Sequence, residues 1–280
     1  MNGSATVDSL LRTSLGDPPW RRGVALYSVR RDLEEDFEGT LARLATLGYG
    51  SAEVRGYAPG AVPALRRALD GAGLVAGGMI LEASPSPIEQ VAAARALGVD
   101  FVVVPAALPY FSMVGGRFVW REHVAAAEMR AFVHSLRNLA EGASRLGIGL
   151  LYHLHDRDYQ PLDDGWTMLD ILLGELPSHL LKFEVDTGWL AASGADLPGT
   201  LAKIRGRVHS IHLKDHDPRR PAEPKGADMV APGKGQADLV AMLAALLHCG
   251  ARHCFIELEP YSDPWPELEH SQRWLDEVGY

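Results

Sequence analysis

Eight times between Arg22 and the C-terminus, a short aliphatic or β-branched run gives way to a longer amphipathic segment. A change of period from two to about 3.6 at every round packs parallel strands inside a layer of helices. The runs predict strands at 23–29, 49–54, 74–79, 101–105, 148–153, 180–186, 208–213 and 254–259. Helices are expected at 36–47, 62–72, 88–97, 123–146, 166–173, 237–248 and 266–278. The joints "LATLGYGSAEV", "RALDGAGLVAGGM", "RALGVDFVVVP" and "SRLGIGLLYH" each read as a helix end, a Gly stop and a new strand. Eight rounds in 280 residues, 47% of them hydrophobic, suit one large core. They fit a closed barrel better than an open doubly wound sheet, because no Gly-rich phosphate loop follows the first strand. The expected fold is therefore a single α/β unit, a (β/α)8 TIM barrel over 21–280. The first 20 residues, rich in Gly, Ser, Thr and Pro, read as a flexible arm, with Trp20 free to pack under the core.

A net charge of -9 without Lys/Arg clusters argues against nucleic acid, whose affinity comes mostly from basic side chains. The two cysteines, Cys249 and Cys254, flank a helix–strand turn and read as buried thiols of a cytoplasmic protein. No apolar run is long enough for a membrane span, and the N-terminus lacks the pattern of a secretion signal. The expected partner is a small molecule. The aromatic stretch 105–120 leaves room for a homo-oligomer, or for a lid; the longer 215–235 loop also reads as a lid.

Four of the later strands end in polar residues at alternating positions: His153 and His155, Asp186, His212 and Lys214, Glu257 and Glu259. Side chains two apart on a strand share a face, and a barrel gathers its strand ends around one mouth. Imidazoles and carboxylates so gathered are the usual ligands of a divalent ion. Quieter readings stand beside this one. Asp186 could cap the turn at Thr187 and Gly188, His212 could be a core histidine, and Glu259 could pair with Lys214. Lys214 and Asp215 could form a rim ion pair, or Lys214 could bind a substrate hydroxyl or an oxyanion. Of the two histidines, His153 is read as ligand and His155 as general base, since imidazole titrates near neutrality. Glu53, at the end of strand two, and Arg30, after strand one, are expected to touch substrate or to brace neighbouring loops.

The chain also resembles the sugar phosphate isomerase/epimerase group of xylose-isomerase-like barrels. The matching pieces are "LYSVRRDL" at 26–33, "LGYGSAEVRGY" at 47–57, "YHLHDRDY" at 152–159 and "EVDTGWLAASGAD" at 184–196, followed by "HSIHLKD" at 209–215, "GKG" at 233–235 and "IELEPYSDP" at 256–264. The resemblance implies one divalent ion, manganese first, with magnesium, cobalt or zinc as alternatives. Its ligands would be Asp186, His212 and Glu257, with His153 at the strand-five position where many relatives carry Glu. Leu154 and Met79 depart from the Asn and His common in relatives, while Asp158 falls where a Glu is common. The catalytic candidates are His155, Glu257, Lys214 and Glu259, and the candidate substrate contacts Glu53, Arg30, Asp158 and Trp189. The implied reaction is isomerisation or epimerisation of a sugar or polyol ketone, by proton abstraction next to the carbonyl through a metal-stabilised enediolate. A metal-dependent dehydratase (lyase) of keto-inositol or 3-keto-glycoside type is the alternative, and a non-catalytic sugar-binding barrel a more distant one.

Overall fold

Gly23 pairs on one side with Ser51 and on the other with Phe255, which closes the sheet on itself. The computed structural model describes residues 21–280 except 57–58, 85, 107, 115–116, 122, 222–225 and 260; the arm at 1–20 lies outside the described residues. The barrel strands, numbered here in chain order, are β1 (Arg22–Ala25), β2 (Ser51–Arg55), β3 (Val75–Ile80), β4 (Phe101–Val104), β5 (Gly149–Leu154), β6 (Leu181–Asp186), β7 (Val208–Leu213) and β8 (His253–Ile256). Each is hydrogen-bonded to its neighbours in that order, all parallel, and helices connect them. The expected eightfold TIM barrel is the fold observed.

Most connections follow the expected chemistry. The helix Val62–Ala72 ends on Gly73 and Pro87–Leu97 on Gly98, both left-handed, at φ of 76° and 87°. Only glycine takes that conformation without a steric penalty, and it turns the chain straight into the next strand. Two strands are shorter than expected. β1 stops at Ala25 and the chain winds into a 3-10 turn, Leu26–Val29; β8 stops at Ile256. Both shortenings share a cause: the Leu258 amide donates to Ser28 Oγ at 2.9 Å, so side-chain bonding replaces the strand ladder there. Glu257 and Glu259 consequently stand on irregular backbone just past β8.

The barrel interior is plugged by Ala25, Ile80, Phe101, Val103, Leu151 and Phe255. A Cβ at Gly23 or Gly77 would come within 2.4 or 2.8 Å of the Phe255 ring, and one at Gly78 within 2.8 Å of Phe101. These glycines make space for the two rings, which fill the barrel below the mouth and leave the polar strand ends above them. A second, larger apolar layer, including Leu41, Leu65, Leu97, Met129 and Leu172, seals the helices onto the outside.

The 105–120 stretch contains an antiparallel hairpin, Phe111–Val114 with Arg117–Trp120. The 215–235 loop is tied to the barrel: Asp215–His216 pairs with Met229–Val230, and the Asp215 carboxylate accepts from the amides of His216, Gly233, Gly235 and Ala237. Asp215 therefore makes no rim ion pair with Lys214, and the Gly233 and Gly235 amides of the "GKG" turn face a carboxylate. Cys249 and Cys254 are free and buried, and burial pushes the Cys254 thiol up to about 12. No helix among the described residues is long and apolar enough to cross a membrane.

Candidate metal centre

His153 on β5, Asp186 at the end of β6, His212 on β7 and Glu257 after β8 each bring one ligand atom to a common point, all within 4.8 Å of one another, and all four residues are buried. The alternation rule explains the convergence for His153, Asp186 and His212, which lie on the inward faces of their strands near the mouth, and Glu257 joins them from just past β8. Asp186 Oδ1 caps the following turn by accepting from the Trp189 amide at 3.0 Å. The capping role and the inward role therefore belong to different oxygens of one carboxylate. Thr187 Oγ1 accepts from the Lys214 amide and donates to the Lys214 carbonyl, at 3.1 and 2.6 Å, which locks the ends of β6 and β7 together.

A layer of carboxylates lies behind the two imidazoles. His212 Nε2 is 2.6 Å from Glu53 Oε2 and 3.2 Å from Glu184 Oε2, while its Nδ1 points at Glu257 Oε2, 3.1 Å away. His153 Nδ1 is 2.8 Å from Glu184 Oε2 and its Nε2 is 3.7 Å from Asp186 Oδ2. Burial and the charge of Glu184 push Glu53 up to about 8. Burial would raise Glu184 too, but His212 and His153 hold it at about 2. Of this pair Glu53 is thus the carboxyl that favours its proton and Glu184 the one that favours its charge. A carboxylate that takes one ring nitrogen fixes the ring and leaves the other nitrogen for a metal.

Lys214 is buried with its Nζ 2.9 Å from Asp186 Oδ2, 2.5 Å from Glu257 Oε2 and 3.0 Å from Glu259 Oε1. Burial works against its charge, but the three carboxylates raise it well above the ordinary lysine range. Glu257 is held well below the usual carboxylate range by Lys214 and His212, against the effect of burial.

The donor set fits a divalent ion. Asp186 Oδ2 and His212 Nδ1 are fully buried and take no well-formed hydrogen bond, although charged partners stand within about 3 Å of both. Buried donor atoms that converge without satisfying one another are what a cation satisfies, and two imidazoles with two carboxylates suit manganese, zinc, cobalt or magnesium.

The remaining expected site residues separate into lining and support. His155 is the accessible imidazole: its side chain is 23% exposed, Nε2 is 3.8 Å from Asp186 Oδ2, and its ring stacks on Trp189 with centroids 4.9 Å apart. Glu259 reaches Lys214, and Arg30 lies over the Tyr27 ring on the far side of the mouth. Three expectations need correction. Glu53 was expected at the substrate or a loop, but it is 1% exposed and bonded to His212. Asp158 is fully buried, accepting from Tyr110 OH, Tyr152 OH and the His155 amide at 2.8–3.1 Å, so it fastens the His155 turn rather than facing the mouth. Lys214 has no open face toward a substrate, because three carboxylates surround it. Glu184 is the residue sequence reasoning missed; it stands two positions before Asp186, so the same alternation rule would have found it.

These features define a (β/α)8 barrel with a candidate divalent-metal centre at the carboxyl ends of its later strands. The chain belongs to the xylose isomerase-like TIM barrel family, whose sequence model matches residues 41–278. It is similar to SgbU of Escherichia coli (strain K12), named as an L-ribulose-5-phosphate 3-epimerase, at 26% identity over 167 residues, 59% of this chain and 57% of that protein. The match thus spans little more than half the length of this relative. A sugar phosphate isomerase/epimerase from Parabacteroides distasonis ATCC 8503 superposes with a TM-score of 0.75 at 18% identity, covering 98% of both chains. A xylose isomerase-like barrel protein from Mycobacterium smegmatis, solved in complex with magnesium, gives a TM-score of 0.60 at 14% identity over 86% of this chain and 87% of that one.

Proposed function

We propose that the protein is a divalent-metal-dependent isomerase or epimerase of a sugar or polyol ketone, working by proton abstraction next to the carbonyl. The observation that carries this reading is the convergence of His153, Asp186, His212 and Glu257 beside one accessible imidazole, His155. The epimerase name of SgbU and the magnesium in the Mycobacterium smegmatis barrel support it.

A divalent ion bound by the four residues would supply positive charge to a carbonyl oxygen that becomes negative as the neighbouring proton leaves. His155 serves as the base. Its ring stacks on Trp189, its backbone is fixed by Asp158, and its side chain is 23% exposed. Glu259, 18% exposed and bonded to Lys214, is the second accessible acid–base group, delivered from beyond β8, three strands round the barrel from β5. Groups from non-adjacent strands suit removal of a proton on one face and its return on another, which is isomerisation or epimerisation. Lys214 holds Asp186, Glu257 and Glu259 together until an ion would take over that charge-neutralising place. Trp189, stacked on His155, gives the mouth an apolar side.

The test is hydrogen exchange. Metal-loaded protein incubated with ketoses and keto-inositols in deuterated water should place deuterium on the carbon beside the carbonyl. A conjugated enone product would instead assign the dehydratase reaction, and absence of exchange across a broad panel would defeat the proposal.

A further inference from the structure

The end of the barrel opposite the metal centre carries a polar layer of its own. Lys182, His209 and His253 stand at the amino ends of three successive strands, β6, β7 and β8. Strand alternation turns Lys182 to the same inward face as Glu184, and His253 to the same face as Phe255. His209 reaches that face through a bulge. Phe183 pairs with Val208 but Glu184 with Ser210, so His209 is the extra residue of β7, and a bulge re-aims the side chain it releases. The His209 and His253 rings both meet the Phe101 ring edge-on, at centroid distances of 5.0 and 4.9 Å, and lie 5.3 Å from one another. His253 also lies parallel to Phe255 at 6.2 Å. The three polar side chains thus form a floor beneath the aromatic plug.

This floor has donors without acceptors. Among the described residues, no hydrogen bond or ion pair engages the side chain of Lys182, His209 or His253, and all three are partly exposed. The charged groups that act on the two rings are Lys182 and Arg252 on one side of the balance, and exposed Asp100 and buried Glu184 on the other. Burial, then His253, Lys182 and Arg252, hold His209 down at about 4 against the pull of Asp100. Burial likewise keeps His253 below the ordinary imidazole range, against Asp100 and Glu184. A metal cation entering here would be repelled by Lys182 and Arg252. An anion would be attracted, would accept from the ammonium and from the ring N–H groups, and would favour protonation of both rings.

We propose that the floor of the barrel is a second ligand site, separate from the metal centre, and that its ligand is a small tetrahedral oxyanion, phosphate or sulfate, held by Lys182, His209 and His253. The Phe101 and Phe255 rings stand between the two sites, so the oxyanion takes no part in chemistry at the mouth. It ties together β6, β7 and β8, the strands that carry Asp186 and His212 and lead to Glu257, and it stabilises the folded chain by binding to it alone. Affinity rises as the pH falls, because each proton taken up by a ring adds a charge and a donor. By reciprocity, the bound oxyanion raises each histidine by the factor with which protonation tightens its own binding.

Proton resonances of the two imidazoles in the full-length protein, followed from about pH 8 to about pH 5 in phosphate and in chloride of equal ionic strength, read this site without turnover. His209→Asn and His253→Asn assign the two signals. Phosphate should move both titrations upward by about one pH unit, a coupling of about tenfold. Lys182→Met should weaken phosphate binding about tenfold at this site and shrink the shift, Lys182→Arg should retain most of it, and Arg43→Gln, on the helix side against Trp265, should change nothing. Unfolding curves check that each variant is folded, and phosphate should protect wild type more at pH 6 than at pH 8. Titrations that coincide in phosphate and chloride overturn the proposal, as does Lys182→Met with an unreduced shift. Equimolar Zn2+ that moves both rings where phosphate does not would make the pair a cation site, and would overturn it as well.

Discussion

His153 and Glu184 are register partners across the parallel strands β5 and β6, and the pairing brings His153 Nδ1 to 2.8 Å from Glu184 Oε2. The carboxylate stands behind the ring, so Nε2 is the nitrogen turned toward Asp186. Glu184 also reaches His212, so among the described residues it backs both candidate imidazole ligands.

Replacing Glu184 by Gln should therefore leave the protein folded but loosen both rings. Apparent metal affinity should fall by about ten- to a hundredfold, the range found when an outer-shell partner of a metal-binding histidine is lost. Calorimetric titration with Mn2+ reads this directly; unchanged affinity would mean that Glu184 does not orient the site.

Lys214→Met should destabilise the metal-free protein, because Asp186, Glu257 and Glu259 would share a confined space with no ammonium among them. Removing one partner from a buried charge group costs about 3–5 kcal/mol. Added Mn2+ should restore more thermal stability to the variant than to wild type, since the ion takes over the neutralising role. A metal-induced shift no larger than in wild type would contradict this picture of Lys214.

His155→Gln should keep stoichiometric metal and lose about 10²- to 10⁴-fold in deuterium exchange, the usual contribution of a positioned base. Full exchange activity in the variant would remove His155 from the mechanism.

Asp158 carries a pH dependence of stability. Burial raises its carboxyl to about 7, against the opposing hydrogen bonds from the His155 amide, Tyr110 and Tyr152, compared with about 3.9 in an unfolded chain. The folded state binds the extra proton, so this contribution is fully present below about pH 4 and is lost as the pH rises through about 7, up to about 4 kcal/mol in all. Asp158→Asn mimics the protonated form, and urea unfolding between pH 4 and 7 should show a flatter profile than wild type. Parallel profiles would contradict the assignment.

Much of this architecture was legible in the residues. The alternation of periods gave the eightfold barrel, and the Gly stops placed most strand starts within about two residues of those observed. The inward face of each strand put His153, Asp186 and His212 together because a closed barrel leaves no other place for them. What the residues did not reveal was depth. Glu53 and Asp158 sit on the same rim segments as true lining residues, and only packing decides that one backs His212 while the other ties down a turn. Glu184 escaped notice inside a run that otherwise reads as core. The strand ends at Ala25 and Ile256 depend on the Ser28–Leu258 bond, a contact across 230 residues that no local pattern encodes.

The most direct test of the account is an anomalous diffraction map of crystals loaded with Mn2+, measured at the manganese edge. The account predicts a single peak per chain about 2.0–2.4 Å from one atom each of His153, Asp186, His212 and Glu257, with Lys214 moved aside. A peak bound elsewhere, or none at full loading, with Lys214 still among the three carboxylates, would contradict it.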